Sequence, residues 1–235
     1  MTLHPLRRTL PILALLVALG AGAAAAAGPQ AQPERSSYWR ERTSLFRNLP
    51  RHAVVMIGDS LTDGAEWAEL FPGQDIANRG IDSDTTDGVL ARLDDILAAK
   101  PRQAFVMIGI NDFADGQREV DAVFANYSAI VARLEQAGVR VVVQSTLPCN
   151  EAKGQWKSCA AINRKIAQLD ARLATLGSAR VRFIDLRPAL AAGAELNGEF
   201  TFDGVHLNAE GYRRWQRAIA PLMPAPGQRR AAERR

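Results

Sequence analysis

The stretch Ala53-Val54-Val55-Met56-Ile57-Gly58-Asp59-Ser60-Leu61-Thr62 runs five apolar residues without a break into a glycine, an acid and a hydroxyl. A strand with one wet face alternates apolar and polar residues, so an unbroken apolar run implies a strand covered on both faces, as in a parallel sheet. Four more short segments rich in Val, Ile and Phe follow, at 75–78, 104–108, 140–144 and 181–184. The segments between them have helical period. Residues 85–99 place Val89, Leu90, Leu93, Ile96 and Leu97 on one stripe, and residues 119–137 do the same with Val123, Tyr127, Ile130 and Leu134. Residues 161–176 and 209–220 complete the set, with Gly138 and Gly177 placed as helix stops. Strands alternating with helices of this length predict right-handed crossovers and a three-layer α/β/α sandwich around a five-stranded, parallel, doubly wound sheet.

In such a fold a ligand sits at the carboxyl ends of the strands, and that rule selects residues. Asp59 and Ser60 follow the first strand, Gly80 the second, Asn111 and Asp112 the third, and Ser145-Thr146 the fourth. Of the three histidines, His4 lies near the start of the chain, His52 precedes the first strand, and only His206 has an acid at a useful offset, Asp203. Acyl transfer needs a nucleophile, a base, an orienter for that base, and donors for the developing oxyanion. Ser60, His206, Asp203 and Asn111 supply those residue types in four loops. Each has a plainer reading when taken alone: Ser60 as a helix cap, Asn111 as an Asx-turn residue, Gly80 as a site of positive φ, and Asp203-Gly204-Val205-His206 as an exposed turn.

Together, Gly58-Asp59-Ser60-Leu61, Asn78-Arg79-Gly80, Gly109-Ile110-Asn111-Asp112 and Asp203-Gly204-Val205-His206 resemble the four blocks of the SGNH, or GDSL-type, hydrolases. The resemblance runs from Val54 to Trp215. It implies a flavodoxin-like hydrolase fold and a Ser60-His206-Asp203 triad. It also implies an oxyanion hole made by the Ser60 and Gly80 backbone N–H groups and the Asn111 side chain, with no metal or organic cofactor. Asn78-Arg79-Gly80-Ile81 with Asp84-Thr85-Thr86 is similar to the branch holding platelet-activating-factor-type acetylhydrolases and bacterial carbohydrate or sialate O-acetylesterases. Asp82-Ser83 departs from that branch, which carries small residues before the Asp. The absence of a G-x-S-x-G elbow separates the chain from the other large α/β-hydrolase group.

The expected activity is removal of short acyl groups, acetyl above all, from a small-molecule or glycan ester, declining at acidic pH where an imidazole is protonated. Asp59, Phe113, Thr146 and Phe202 are candidates to touch substrate, with structural hydrogen bonding as the alternative for Asp59. Phe113, Trp156, Phe202 and Leu207 either line an apolar groove, as a lipase, lysophospholipase or thioesterase would need, or are ordinary core and loop residues. A non-catalytic carbohydrate-binding protein is the rival from another class, and it has no need of an activated nucleophile.

The ends of the chain bear on partners and location. Residues 1–27 combine Arg7 and Arg8, an apolar stretch and an Ala run, the layout of a secretory signal peptide, with an uncleaved anchor as the alternative. Residues 28–35 read as a linker, 36–224 as one hydrolase domain, and 225–235 as a basic tail. The whole chain carries 29 basic and 25 acidic residues, but without the leader arginines and the tail the body has 23 basic against 24 acidic. A near-neutral body argues against a nucleic-acid partner, and nothing after residue 28 is apolar for long enough to span a membrane. Export to the periplasm or the exterior would favour a disulfide between the only two cysteines, Cys149 and Cys159, over free thiols or a metal pair.

Overall fold

The computed structural model describes Met1 and residues 35–114, 118–154 and 156–225. The chain divides into two units, Met1–Glu34 and Arg35–Arg235, and the second carries the fold. The expected leader except Met1, the linker except Arg35 and the tail except Ala225 lie outside the described residues.

Five strands, β1 (Val54–Gly58), β2 (Ile76–Gly80), β3 (Gln103–Met107), β4 (Arg140–Gln144) and β5 (Val181–Ile184), form one sheet in the order β2-β1-β3-β4-β5. Every pairing is parallel, with Val54 opposite Ile76 and Gln103. The helices are α1 (Ser37–Asn48), α2 (Ser60–Asp63), α3 (Trp67–Leu70), α4 (Thr86–Ala91), α5 (Leu93–Ala98), α6 (Ile110–Ala114), α7 (Val120–Gln136), α8 (Cys159–Leu173), α9 (Arg187–Leu190) and α10 (Ala209–Ile219). A β-sheet presents alternate residues to opposite faces. Val55, Ile57, Ala104 and Val106 accordingly join one core with residues of α4, α5, α7 and α8. Val54, Met56, Phe105 and Met107 join a second core with Trp67, Leu190, Trp215 and Ile219. This is the three-layer architecture expected from the apolar runs, and it places a topological switch between β1 and β3, where the strand order reverses.

The boundaries differ where side chains intervene. The helix expected over 85–99 breaks at Arg92, whose wholly buried guanidinium donates to Asp84 Oδ2 (2.7 Å) and to the Gly58 carbonyl (3.2 Å). The helix expected over 161–176 begins at Cys159 and ends at Leu173, short of Gly177. Helix α1 had no sequence expectation. Ser36 caps it by accepting from Trp39 N–H (3.0 Å), but only Thr43 and Phe46 are buried on it, too narrow an apolar stripe to read. Cys149 and Cys159 form a disulfide.

Candidate active site

Asp59 directly follows β1 and caps α2, its Oδ1 accepting from Leu61 N–H (3.1 Å), while its carbonyl accepts from Thr62 and Asp63 N–H. Ser60 is therefore the first helical residue, where a backbone N–H has no intrahelical partner. The Ser60 N–H meets no acceptor among the described residues. Its hydroxyl lies 3.0 Å from His206 Nε2, and His206 Nδ1 lies 2.7 Å from Asp203 Oδ2. An ionised carboxylate only accepts, so Nδ1 carries the hydrogen and Nε2 is left to accept from Ser60 Oγ–H.

The histidine turn is stitched locally. Asp203 Oδ1 accepts from Val205 N–H (2.9 Å) and His206 N–H (2.8 Å), and Thr201 Oγ1 bridges the His206 carbonyl and Gly204 N–H. Gly204 has φ 89°, and a Cβ there would come within 2.4 Å of the Asn150 carbonyl, so only glycine fits. Partial burial works to raise the Asp203 carboxyl, but the bonds from the His206 ring and from two backbone N–H groups outweigh it and hold the group below its ordinary value.

Asn111 is the second residue of α6, which follows β3. One amide hydrogen goes to the Asp84 carbonyl (3.0 Å), and the amide group has a second to give. Asp84 is the hub of this side: Oδ1 accepts from Trp39 Nε1 (3.1 Å) and Thr85 N–H (3.0 Å), Oδ2 from Arg92.

Gly80 corrects the sequence reading. Its N–H donates to Asn78 Oδ1 (2.8 Å), and a Cβ would meet Asp63 N at 2.2 Å. The glycine is required for close packing on α2, and its N–H is already used. Three residues on, Ser83 holds a left-handed backbone (φ 59°) in a turn closed by Asp84 N–H to the Ile81 carbonyl (3.1 Å), and its N–H meets no acceptor among the described residues. The signal was Asp82-Ser83, which in the sequence stands out only as a departure from the branch's small residues and not as a backbone donor.

Of the four substrate-contact candidates, three point inward. Asp59 is the buried α2 cap described above. Phe113 is 1% exposed and packs in the core beneath α7 and α8. Thr146 is buried, its N–H on Asp170 Oδ1 (2.8 Å) and its hydroxyl on the Ile108 carbonyl (3.0 Å). Phe202 alone is open, 77% exposed and directly before Asp203. Asp112 is spent structurally on Thr86 N–H (2.9 Å) and Oγ1 (2.5 Å). Among the described residues no group of three or more His, Cys, Asp or Glu is arranged to hold a metal ion.

A family model described as "GDSL-like Lipase/Acylhydrolase family" matches residues 56–214. The chain is similar to the platelet-activating factor acetylhydrolase IB subunit alpha1 of Homo sapiens, 30% identical over 179 residues that cover 72% of this chain and 74% of that one. Its fold is similar to a GDSL-like lipase from Bacteroides thetaiotaomicron (TM-score 0.65, 23% identity, 78% of this chain and 96% of the other). It is also similar to an acetylxylan esterase from Geobacillus stearothermophilus (TM-score 0.54, 18% identity, 77% and 99%).

Proposed function

The chain belongs to the GDSL-like lipase/acylhydrolase family, and from that premise we propose that it is an exported esterase that removes short acyl groups, chiefly acetyl, from a hydroxylated substrate such as a glycan. The observation that carries the reading is the relay from Asp203 through His206 to Ser60, with spacings of 2.7 and 3.0 Å. Ser60 Oγ attacks the ester carbonyl as His206 Nε2 takes its proton, and the same imidazole returns the proton to the departing alcohol. Water then attacks the acyl-enzyme, its proton again taken by His206, and the acid leaves as Ser60 regains its hydrogen. Ser60 N–H, Ser83 N–H and the second hydrogen of the Asn111 amide stabilise the oxyanion.

Burial supports the short-acyl preference. Phe113 and Leu207 are core residues and Trp156 packs against the core, which leaves Phe202 as the one open aromatic among the groove candidates. An exposed ring beside the base suits stacking on a sugar face. The named activities of the human acetylhydrolase and the bacterial acetylxylan esterase favour acetyl. Export rests on the composition of residues 1–27 and on the disulfide. Among the described residues no helix is long and apolar enough to cross a membrane.

The test is a chain-length series of chromogenic esters from acetate to decanoate, run beside O-acetylated xylo-oligosaccharides, with a fluorophosphonate probe on the wild type. The expected result is kcat/KM falling beyond butyrate and the probe on Ser60. A profile rising toward decanoate would replace the reading with a lipase-type one, and an unlabelled Ser60 would replace it with a binding protein.

A further inference from the structure

Phe46, on the buried side of α1, is ringed by cations. The guanidinium carbons of Arg42, Arg79 and Arg92 lie 5.1, 4.8 and 5.7 Å from its ring centroid. Arg79, on β2, is 2% exposed, and Arg92 is wholly buried. Two carboxylates answer these three charges: Asp84 on Arg92 (2.7 Å) and Asp63 on Arg42 (3.6 Å). Arg79 has no carboxylate partner among the described residues. Among the described residues its guanidinium makes one hydrogen bond, to the carbonyl of its neighbour Asn78 (2.9 Å).

The unpaired donors gather here too. Among the described residues, ten buried side-chain polar atoms have no hydrogen-bond partner, and four of them belong to the three arginines at this ring: Arg42 Nε, Arg79 Nε and Nη2, and Arg92 Nη1; a fifth, Thr43 Oγ1, belongs to a buried residue about one helical turn before Phe46 on α1. Such a concentration in one place is a property of a site, because a buried cation without an acceptor loses its hydration and gains nothing in exchange. Burial, and then the charges of Arg42 and Arg92, lower Arg79 to about 10, which still leaves it cationic at neutral pH. Phe46 offers its π face to the guanidiniums but no lone pair to their N–H groups.

We propose that Arg42, Thr43, Arg79 and Arg92 together bind a small monovalent inorganic anion, chloride in ordinary buffers, beside Phe46. Charge sets the valence, since one guanidinium is uncompensated and a dianion would over-neutralise the group. The placement of the donors sets the shape. They come from α1, β2 and the junction of α4 and α5, and a spherical ion accepts from such scattered directions without angular demand. Arg42 and Asp63, with side chains 25% and 15% exposed, form the edge through which the ion exchanges.

The ion would couple to the esterase site through Arg92. That side chain also holds the Gly58 carbonyl, two residues before Ser60, and Asp84, whose own carbonyl holds Asn111.

The test compares thermal unfolding of the full chain as sodium gluconate is exchanged for sodium chloride at constant ionic strength, together with anomalous scattering from crystals grown in bromide. The wild type should melt about 2–4 °C higher in chloride. Arg79→Met keeps the apolar contact with Phe46 and should lose that dependence. Should Arg79→Met not fold, Thr43→Val removes a single donor and should show a smaller chloride response. A bromide peak should fall within hydrogen-bond reach of Arg79 and Arg92. A wild-type melting temperature indifferent to the exchange, an equal shift in the variants, or no bromide peak at this place would each overturn the assignment.

Discussion

The two halves of the candidate site are built by opposite means. Ser60 and Asn111 stand at the ends of β1 and β3 and are tied into buried polar structure: Asp84 bonded to Trp39, Arg92 and Asn111, and Asn78 donating to the Thr62, Asp63 and Ala65 carbonyls. His206 and Asp203 stand on a half-exposed turn whose bonds are mostly to itself. A bridge from Thr201 to Leu207 closes the turn on itself, and the turn's distant support is Asn150 N–H on the Gly204 carbonyl (2.7 Å). The difference follows from the work each half does. A nucleophile and oxyanion donors must hold fixed positions, which rigid strand ends provide, whereas a base that exchanges protons with water needs access to it.

Deleting His206 should separate chemistry from stability most sharply. His206→Ala removes the base, and kcat on a chromogenic acetate should fall about 10⁴-fold or more. Its ring is nearly half exposed, so the melting temperature should stay within about 2 °C of wild type. A large loss of stability would show that the turn is less self-sufficient than its bonds indicate. Asn111→Ala should cost about a hundred- to a thousand-fold in kcat through one lost oxyanion donor, with KM little changed. Here stability should fall as well, by about 2–4 °C, because the same amide pins the Asp84 carbonyl. An unchanged kcat would take Asn111 out of the hole.

How much of this was legible in the sequence depended on whether a position or a direction was being read. The sheet and its order of elements followed from apolar runs such as residues 53–57, because a strand buried on both faces carries no polar alternation. The relay was legible because Asp203 and His206 lie three residues apart and only one histidine had such a neighbour. Phe113 and Thr146 were misread for a physical reason: a loop after a strand says that a residue is near the site, while its side chain can still turn into the core. Gly80 was misread because a glycine marks close approach of backbone without saying which atom approaches, and here it is α2 that does. Helix α1 was missed because its buried side is Phe46 among arginines, a packing that leaves no apolar period.

The disulfide distinguishes the halves at a smaller scale. It closes the loop carrying Asn150, the residue whose N–H supports the histidine turn. Replacing both Cys149 and Cys159 by Ser should cost about 2–3 kcal/mol in the chain-entropy account. Amide hydrogen exchange should quicken over 201–206 and stay unchanged over 54–60, because among the described residues no hydrogen bond of that loop reaches β1. Equal changes in both segments would mean that the halves open as one unit.

The smallest expected effect belongs to the buried half and carries a sign. Burial raises the Asp59 carboxyl from 3.8 to about 7, against the opposing bond from Leu61 N–H and with help from the charges of Asp84 and Asp112. Between those two values the folded chain keeps a proton that the unfolded chain releases, so this contribution to stability is full below about pH 4 and is lost as pH rises through about 7. Asp112, raised to about 6, and Asp170, raised to about 7, act in the same sense, burial being the leading cause in both. Asp203, held low by the histidine turn, contributes stability that is present above its unfolded value and lost only in stronger acid. Asn at position 59 can still accept from Leu61 N–H and cannot ionise. Asp59→Asn should therefore flatten the decline in melting temperature between about pH 5 and about pH 8, leaving the variant about 2–4 °C above wild type at the upper end and close to it at the lower. Parallel curves for the two proteins would show that Asp59 ionises as an ordinary carboxyl does, and the contrast between a buried nucleophile side and a wet histidine side would then lose its electrostatic basis.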